Sequence, residues 1–295
     1  MYIAIVLAFV MTLITASSNI FLKKGFLRIS PFTVSYISVL ISTVFLWFLV
    51  ILFVPKHYFS NYGGILIFVL IGSFAPTFVR TFTYYGIHTL GAGRSAPLRA
   101  MTPFFAVIMA MLFLKETPKP YIFGGILLIA WGIFVSADEK FSNRDYRRIH
   151  FLYPLSAALL AGVAANLRKF GLNIMPQPVF ASAIAATSSF FFLTLYMLFN
   201  IKKHRADLSK AFGYRKEFIY ILIAALLTTA GEITDLSALL FGRVSLVIPI
   251  FATTPLMIII LSKIFLKEHE KITKRIFISA LLTILGIYIS IYSAR

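Results

Sequence analysis

The fold class that the sequence predicts is an all-α integral membrane protein, with ten transmembrane helices arranged as two inverted five-helix repeats. Three observations predict it. Of 295 residues, 60% are hydrophobic and only 13% charged. Apolar runs long enough to cross about 30 Å of hydrocarbon, roughly 20 residues each, recur along the chain. The two halves of the chain also resemble each other at a fixed offset. A mean hydropathy of +0.91 excludes a soluble globular domain and intrinsic disorder. The lack of cysteine excludes disulfide scaffolds, cysteine zinc sites and thiol nucleophiles.

The spans fall at 3–22, 32–54, 65–87, 93–114, 121–137, 151–170, 178–200, 218–241, 244–266 and 274–293. Pro31, Pro55, Pro118, Pro120 and Pro178 sit in the breaks, where a residue without an N–H interrupts no helix ladder. The most polar breaks are 138–150 and 201–217. The first span has no basic stretch before it and has a counterpart in the second half, so it reads as a helix and not as a secretory signal. The break at 138–150 divides the chain into a first unit, 1–140, and a second, 151–295.

A shift of 152 places Pro97 on Pro249, Ala100 on Ala252, Thr102 on Thr254, Pro103 on Pro255, and Phe113-Leu114-Lys115-Glu116 on Phe265-Leu266-Lys267-Glu268. A shift of 147 brings Pro31 onto Pro178 and Asn19 to within one place of Asn166. Five spans per half is an odd number, which forces the halves into opposite orientations. That is the inverted-repeat plan of secondary transporters, whose sites lie at the repeat interface near the midplane.

The same residues carry a resemblance. Ser17-Ser18-Asn19 with Lys23 and Lys24, Tyr85-Gly86 leading to Thr102-Pro103 and Leu114-Lys115-Glu116, and Gly124-Gly125 with Gly132 form one set. Thr254-Pro255, Leu266-Lys267-Glu268 and Gly286 repeat it more weakly. In these features the chain resembles the EamA-type transporters of the drug/metabolite transporter superfamily over nearly its whole length. The resemblance implies transport of a small metabolite through a cavity lined by spans 1–4 and 6–9, with spans 5 and 10 peripheral. It also implies a multi-pass protein of a bacterial inner (plasma) membrane.

The balance of 28 basic against 10 acidic residues, a formal charge of +18, belongs to the breaks and not to a folded basic stripe, so it anchors the chain to anionic lipid and does not bind nucleic acid. If the spans alternate, the breaks after the odd spans hold about 17 basic residues, among them Lys23, Arg147, Lys202 and Lys274. The other face holds about 7: Lys56, Lys115, Lys119, Arg168, Lys169, Arg243 and Arg295. The positive-inside rule then puts both termini outside the cell.

Charges left within spans are functional candidates by default, because burying one in hydrocarbon costs at least a few kcal/mol. Arg80 and Glu232 are repeat equivalents, 80 + 152 = 232, so the halves place opposite charges at mirrored positions. They are expected either to pair and fix the packing of the halves or to form a charge-selective or proton-coupled gate at Glu232. Asp235 lies three residues on, on the same helical face. Arg99, between Ser95 and Thr102, draws a polar stripe on span 4; it either meets Glu232, Asp235 or freed carbonyls, or holds a substrate carboxylate or phosphate with its fork. Pro97, Pro103, Pro249 and Pro255 interrupt matched spans and are the expected hinges. Thr12, Thr15 and Asn19 stripe span 1, and Asn166 answers Asn19 on span 6; both cavity lining and helix-to-helix hydrogen bonding suit them. Tyr84 and Tyr85 suit either ligand stacking or interfacial anchoring.

Gly91-Ala92-Gly93-Arg94-Ser95-Ala96 has the spacing of a dinucleotide fingerprint but no strand before it, so it reads as a turn. The five histidines fall at or beyond span ends without metal-ligand spacing. No serine or threonine well inside a span has a neighbouring histidine, so an enzyme is not expected. The expected function is therefore export or exchange of a small metabolite by alternating access, with an amino acid or another zwitterionic or anionic solute favoured. Its partners are the substrate, the bilayer and a coupled proton or counter-substrate, with no metal and no cofactor. The rival reading is a membrane scaffold or a component of a lipid-head-group flippase.

Overall fold

The computed structural model describes residues 1–25, 29, 31–79, 82–83, 85, 98–136, 148–199, 213–254, 256–258, 260–261 and 274–293. Among them the chain forms α1 (Tyr2–Gly25), α2 (Pro31–Phe53), α3 (Tyr62–Phe74), α4 (Thr102–Phe113), α5 (Ile122–Ser136), α6 (Leu152–Ile174), α7 (Pro178–Phe199), α8 (Arg215–Phe241), α9 (Val244–Phe251) and α10 (Lys274–Ser293). No strand occurs among the described residues. Five helices, α1, α2, α6, α7 and α8, are long and apolar enough to cross a membrane; the other five are shorter and apolar.

Where helix boundaries differ from the predicted spans, backbone chemistry explains the difference. Span 3 was expected to run unbroken through 65–87, but α3 ends at Phe74 and widens into a π-turn over Ala75–Val79. Pro76 lies in that turn, and its nitrogen cannot donate the bond that a regular helix requires there. Span 9 was expected to run unbroken over 244–266, whereas α9 closes at Phe251, the chain turns at Ala252-Thr253, and helix resumes at Thr254 and recurs at 256–258 and 260–261 among the described residues. Span 6 was expected to end at 170; α6 continues to Ile174, where the Met175 amide donates to the Gly171 carbonyl at 2.8 Å. Arg168 and Lys169 thus lie inside the helix, more than a turn before its end.

Small residues allow the helices to approach closely, as packing in hydrocarbon requires. A Cβ on Gly72 would lie 2.3 Å from the Ala185 carbonyl oxygen, so α3 and α7 touch backbone to backbone. Ser188 and Ser189 of α7 donate to the Val69 and Gly72 carbonyls across the same seam, at 2.8 and 2.9 Å. On α1, the Ser18 hydroxyl donates to the Ala224 carbonyl of α8 at 2.9 Å. Helices α5 and α10 pack chiefly on one another, and a Cβ on Gly286 would meet the Gly125 carbonyl oxygen at 2.5 Å. The central core runs from Ala4 and Ala8 through Phe68, Leu172 and Phe180 to Leu239 and Ile250.

Candidate functional site

An ion pair joins α6 to α8 inside the bundle. Arg168 of α6 donates through Nη1 to Asp235 Oδ2 of α8 at 2.6 Å. The Asp235 side chain is 7% exposed and that of Arg168 36% exposed, so the carboxylate is the buried partner. Removing its cation would leave a buried charge uncompensated.

Two cavities meet at this pair. The smaller, about 200 Å³, is walled by α2, α3, α7 and α8 and lined by Ser35, Ser38, Ser42, Gly72, Ser182, Ser189, Thr228 and Glu232, among others. The larger, about 600 Å³, is lined by Thr15 and Asn19 of α1, by Arg99, Thr102 and Pro103, by Ala161 and Ala165 of α6, and by Ile248, Phe251, Ala252 and Thr254. Arg168 and Asp235 line both.

Six serine and threonine hydroxyls line the smaller cavity, and those of Ser42, Ser189 and Thr228 are engaged. Ser189 donates to a backbone carbonyl, and Thr229 behind the wall donates to Ser42 at 2.8 Å. Ser38 Oγ, Ser182 Oγ and Asp235 Oδ1 differ: each is buried and has no hydrogen-bond partner among the described residues. An unsatisfied buried polar atom costs roughly 1–3 kcal/mol, and three of the nine such atoms among the described residues belong to residues lining this one cavity.

The larger wall is built from matched interruptions in the two halves. Ala100-Met101 form a turn before α4, and Ala252-Thr253, 152 residues later, form one after α9. Thr102 donates to the Arg99 carbonyl at 2.8 Å, and its repeat equivalent Thr254 donates to the Phe251 carbonyl at 2.6 Å. In each case a threonine hydroxyl takes up a carbonyl that the broken helix leaves exposed. Arg99 and Phe251 occupy the same place in the two halves, so repeat symmetry gives the cavity one guanidinium and one aromatic ring.

Several contacts tie together the helix ends nearest the pair. Glu116, just past α4, accepts the Val244 and Ser245 amides at 2.7 and 3.0 Å, placing a carboxylate on the positive N-terminus of α9. Lys169 donates to the Leu239 carbonyl at 2.7 Å, the mirror interaction at the negative C-terminus of α8. Asn61 accepts the Gly64 amide and donates to the Ile174 carbonyl, tying the start of α3 to the end of α6. Trp47, Phe59 and Phe180 pack together, with the Phe59 and Phe180 ring centres 4.6 Å apart.

Of the residues singled out in the sequence, Asp235 and Glu232 line the smaller cavity, and Asp235, Arg99, Asn19, Thr102 and Pro103 the larger. Asn19 donates to the Thr15 carbonyl within α1. Asn166 lines neither cavity: its amide donates to the Ala106 and Gly162 carbonyls at 2.9 Å and joins α6 to α4. Thr12 is fully buried against the Ala8 carbonyl. Pro103 lies in the first turn of α4, where it is tolerated without bending the helix, while Pro249 lies inside α9. Tyr85 stacks on Tyr153 at 5.5 Å. Arg80, Tyr84, Pro97 and Pro255 fall outside the described residues.

Sequence reasoning counted Arg168 and Lys169, at the end of span 6, with the charges of the adjoining face and not among those within spans, and gave Glu116 no role. One signal pointed to the pair: Phe170, Leu172 and Ile174 continue the apolar run beyond them, and the first true breaker is Pro176.

The EamA-like transporter family matches the chain over residues 2–137 and 149–292. Among curated proteins, the chain is similar to the triose phosphate/phosphate translocator, non-green plastid, chloroplastic, of Brassica oleracea var. botrytis. They are 24% identical over 176 residues, 58% of this chain and 40% of that protein. It is also similar to the chloroplastic phosphoenolpyruvate/phosphate translocator 1 of Arabidopsis thaliana, 23% identical over 153 residues, 51% of this chain and 34% of that protein. The matched region spans well under half the length of these relatives. A solved structure described only as "Crystal structure of protein" superposes with a TM-score of 0.75 at 12% identity, covering 99% of this chain and 97% of the other, which shows a shared fold.

Proposed function

Because this chain belongs to the EamA-like transporter family, a family of transporters and not of enzymes, we propose that it is a secondary transporter that exports or exchanges a small zwitterionic or anionic metabolite by alternating access. The observation that carries this reading is the pair of cavities meeting at Arg168 and Asp235, with Arg99 in the larger and Glu232 in the smaller. A bidentate guanidinium suits a carboxylate or phosphate, and carboxylates in the same passage suit a positive group. The names of the two translocators favour an anionic solute and a counter-substrate.

The end held by Glu116, Lys169 and Asn61 serves as one gate, and the turns at Ala100-Met101 and Ala252-Thr253 serve as the bending points. The basic asymmetry read from the sequence, about 17 against 7, puts the end held by Glu116, Lys169 and Asn61 outside together with both termini, in what we take to be a bacterial inner (plasma) membrane. The native chain has no cysteine, so a single cysteine placed at Asn61 reports its side directly.

The function is tested by counterflow. Liposomes containing the purified chain and loaded with L-serine, inorganic phosphate or 3-phosphoglycerate should take up the labelled solute saturably, and Arg99→Ala should lose most of that uptake. Uptake of none of these above protein-free liposomes would instead favour a scaffold or a lipid-flippase component.

A further inference from the structure

We propose that the smaller cavity is a subsite for a single positive charge, either the ammonium group of the substrate or a sodium ion that travels with it; the proposal rests on the transporter reading above. Three oxygens define it. Asp235 is 5% exposed, and one of its carboxylate oxygens is held by Arg168 while the other meets no donor among the described residues. Ser182 of α7, 2% exposed, and Ser38 of α2 place hydroxyl oxygens that are likewise buried and unpartnered in the wall of the same cavity.

The neighbouring hydroxyls show that this is not the general condition of the wall. Ser189 donates to the Gly72 carbonyl at 2.9 Å, and Ser42 receives the Thr229 hydroxyl at 2.8 Å. An ionised carboxylate oxygen only accepts, and a serine oxygen has two lone pairs to offer. What completes such a set is a group that brings several donors, as an ammonium does, or a hard cation that takes oxygen ligands. An anion would lie against the carboxylate.

The position of the subsite gives it a use. Asp235 and Arg168 line both cavities, so a positive charge at Asp235 replaces the charge that Arg168 supplies and releases the guanidinium toward the larger cavity, where Arg99 also sits. A zwitterion lying across the pair would place its ammonium on the serine side and its anionic group on the arginine side. A sodium ion would do the same for a substrate that carries only the anion.

The test uses two matched pairs of probes, L-serine with L-glycerate and O-phospho-L-serine with 3-phospho-L-glycerate, whose members share one configuration and differ in an ammonium against a hydroxyl. Binding to the full-length purified chain is measured by calorimetry in choline chloride and again in sodium chloride. If the subsite takes an ammonium, the amine-bearing members bind about tenfold tighter in choline. That preference collapses in Asp235→Asn and weakens in Ser182→Ala, whose lost hydroxyl makes no hydrogen bond in the folded chain. If it takes sodium, the members of each pair bind equally in choline and both tighten about tenfold in sodium, an effect lost in Asp235→Asn. The proposal is overturned by equal binding in both salts, by a preference unchanged in both variants, or by binding of none of the four probes. Liposome counterflow separates the two readings: saturable flux of L-glycerate or 3-phospho-L-glycerate with neither preference leaves the transporter reading intact and removes the subsite.

Discussion

Arg168 and Asp235, 2.6 Å apart on neighbouring helices of the second half, are the two described residues that line both cavities. Their pairing is expected to be worth less than a fully buried ion pair, since the arginine side chain is 36% exposed and partly screened. Arg168→Gln and Asp235→Asn should each lower stability by ~1–3 kcal/mol, below the ~3–5 kcal/mol lost when a fully buried pair is broken. The double variant should cost less than the two singles added together, because it leaves no orphaned charge. Additive losses in detergent unfolding would show that the two groups do not depend on each other.

Glu232 lies on the same face of α8 as Asp235 and lines the serine-walled cavity, yet as a residue it is exposed. An exposed carboxylate contributes little to folding, so its expected role is in transport. Glu232→Gln should fold and melt within about 2 °C of the native chain, a shift corresponding to well under 1 kcal/mol. It should nevertheless lose coupled flux in liposomes. Retained native flux at normal stability would remove Glu232 from the transport cycle.

How much of this was legible in the sequence depends on whether a signal was local. The proline and threonine matches at an offset of 152 anticipated the paired turns at Ala100-Met101 and Ala252-Thr253, because helix interruption is decided by the residues at the interruption. Which charge meets which was not legible. Arg168 and Asp235 are 67 positions apart, and no repeat relation links them, whereas Arg80 and Glu232 advertised themselves through symmetry. The role of Glu116 was hidden for the same reason: its partners, the Val244 and Ser245 amides, are 128 and 129 positions away.

Lys115 turns the chain from α4 toward that cap with a left-handed φ of 53°, the one positive value among described non-glycine residues. The side chain is exposed, so its removal takes away no packing. Lys115→Gly should raise stability by up to about 1 kcal/mol by relieving the Cβ clash, and Lys115→Val should lower it by at least as much. Glu116→Ala should be worse than either, by ~1.5–3 kcal/mol, since it removes two charge-assisted bonds to the start of α9. Melting curves of the three variants should rank in that order.

Gly72 supplies the last prediction, because it joins packing to the cavity. It lines the smaller cavity, and a Cβ there would meet the Ala185 carbonyl oxygen at 2.3 Å and Ser188 Cβ at 2.8 Å. Both lie on the facing helix, and the nearer is backbone, so relief requires α3 and α7 to separate. Separation would stretch the bonds from Ser188 to Val69 and from Ser189 to Gly72. Gly72→Ala should therefore cost ~1–3 kcal/mol and disturb ligand binding in the serine-walled cavity. Gly124 is the control: nothing lies within 4 Å of its added Cβ, and alanine is the better helix former by roughly 0.5–1 kcal/mol. Gly124→Ala should be neutral or slightly stabilising, and equal behaviour of the two variants would show that the α3–α7 seam is looser than its geometry indicates.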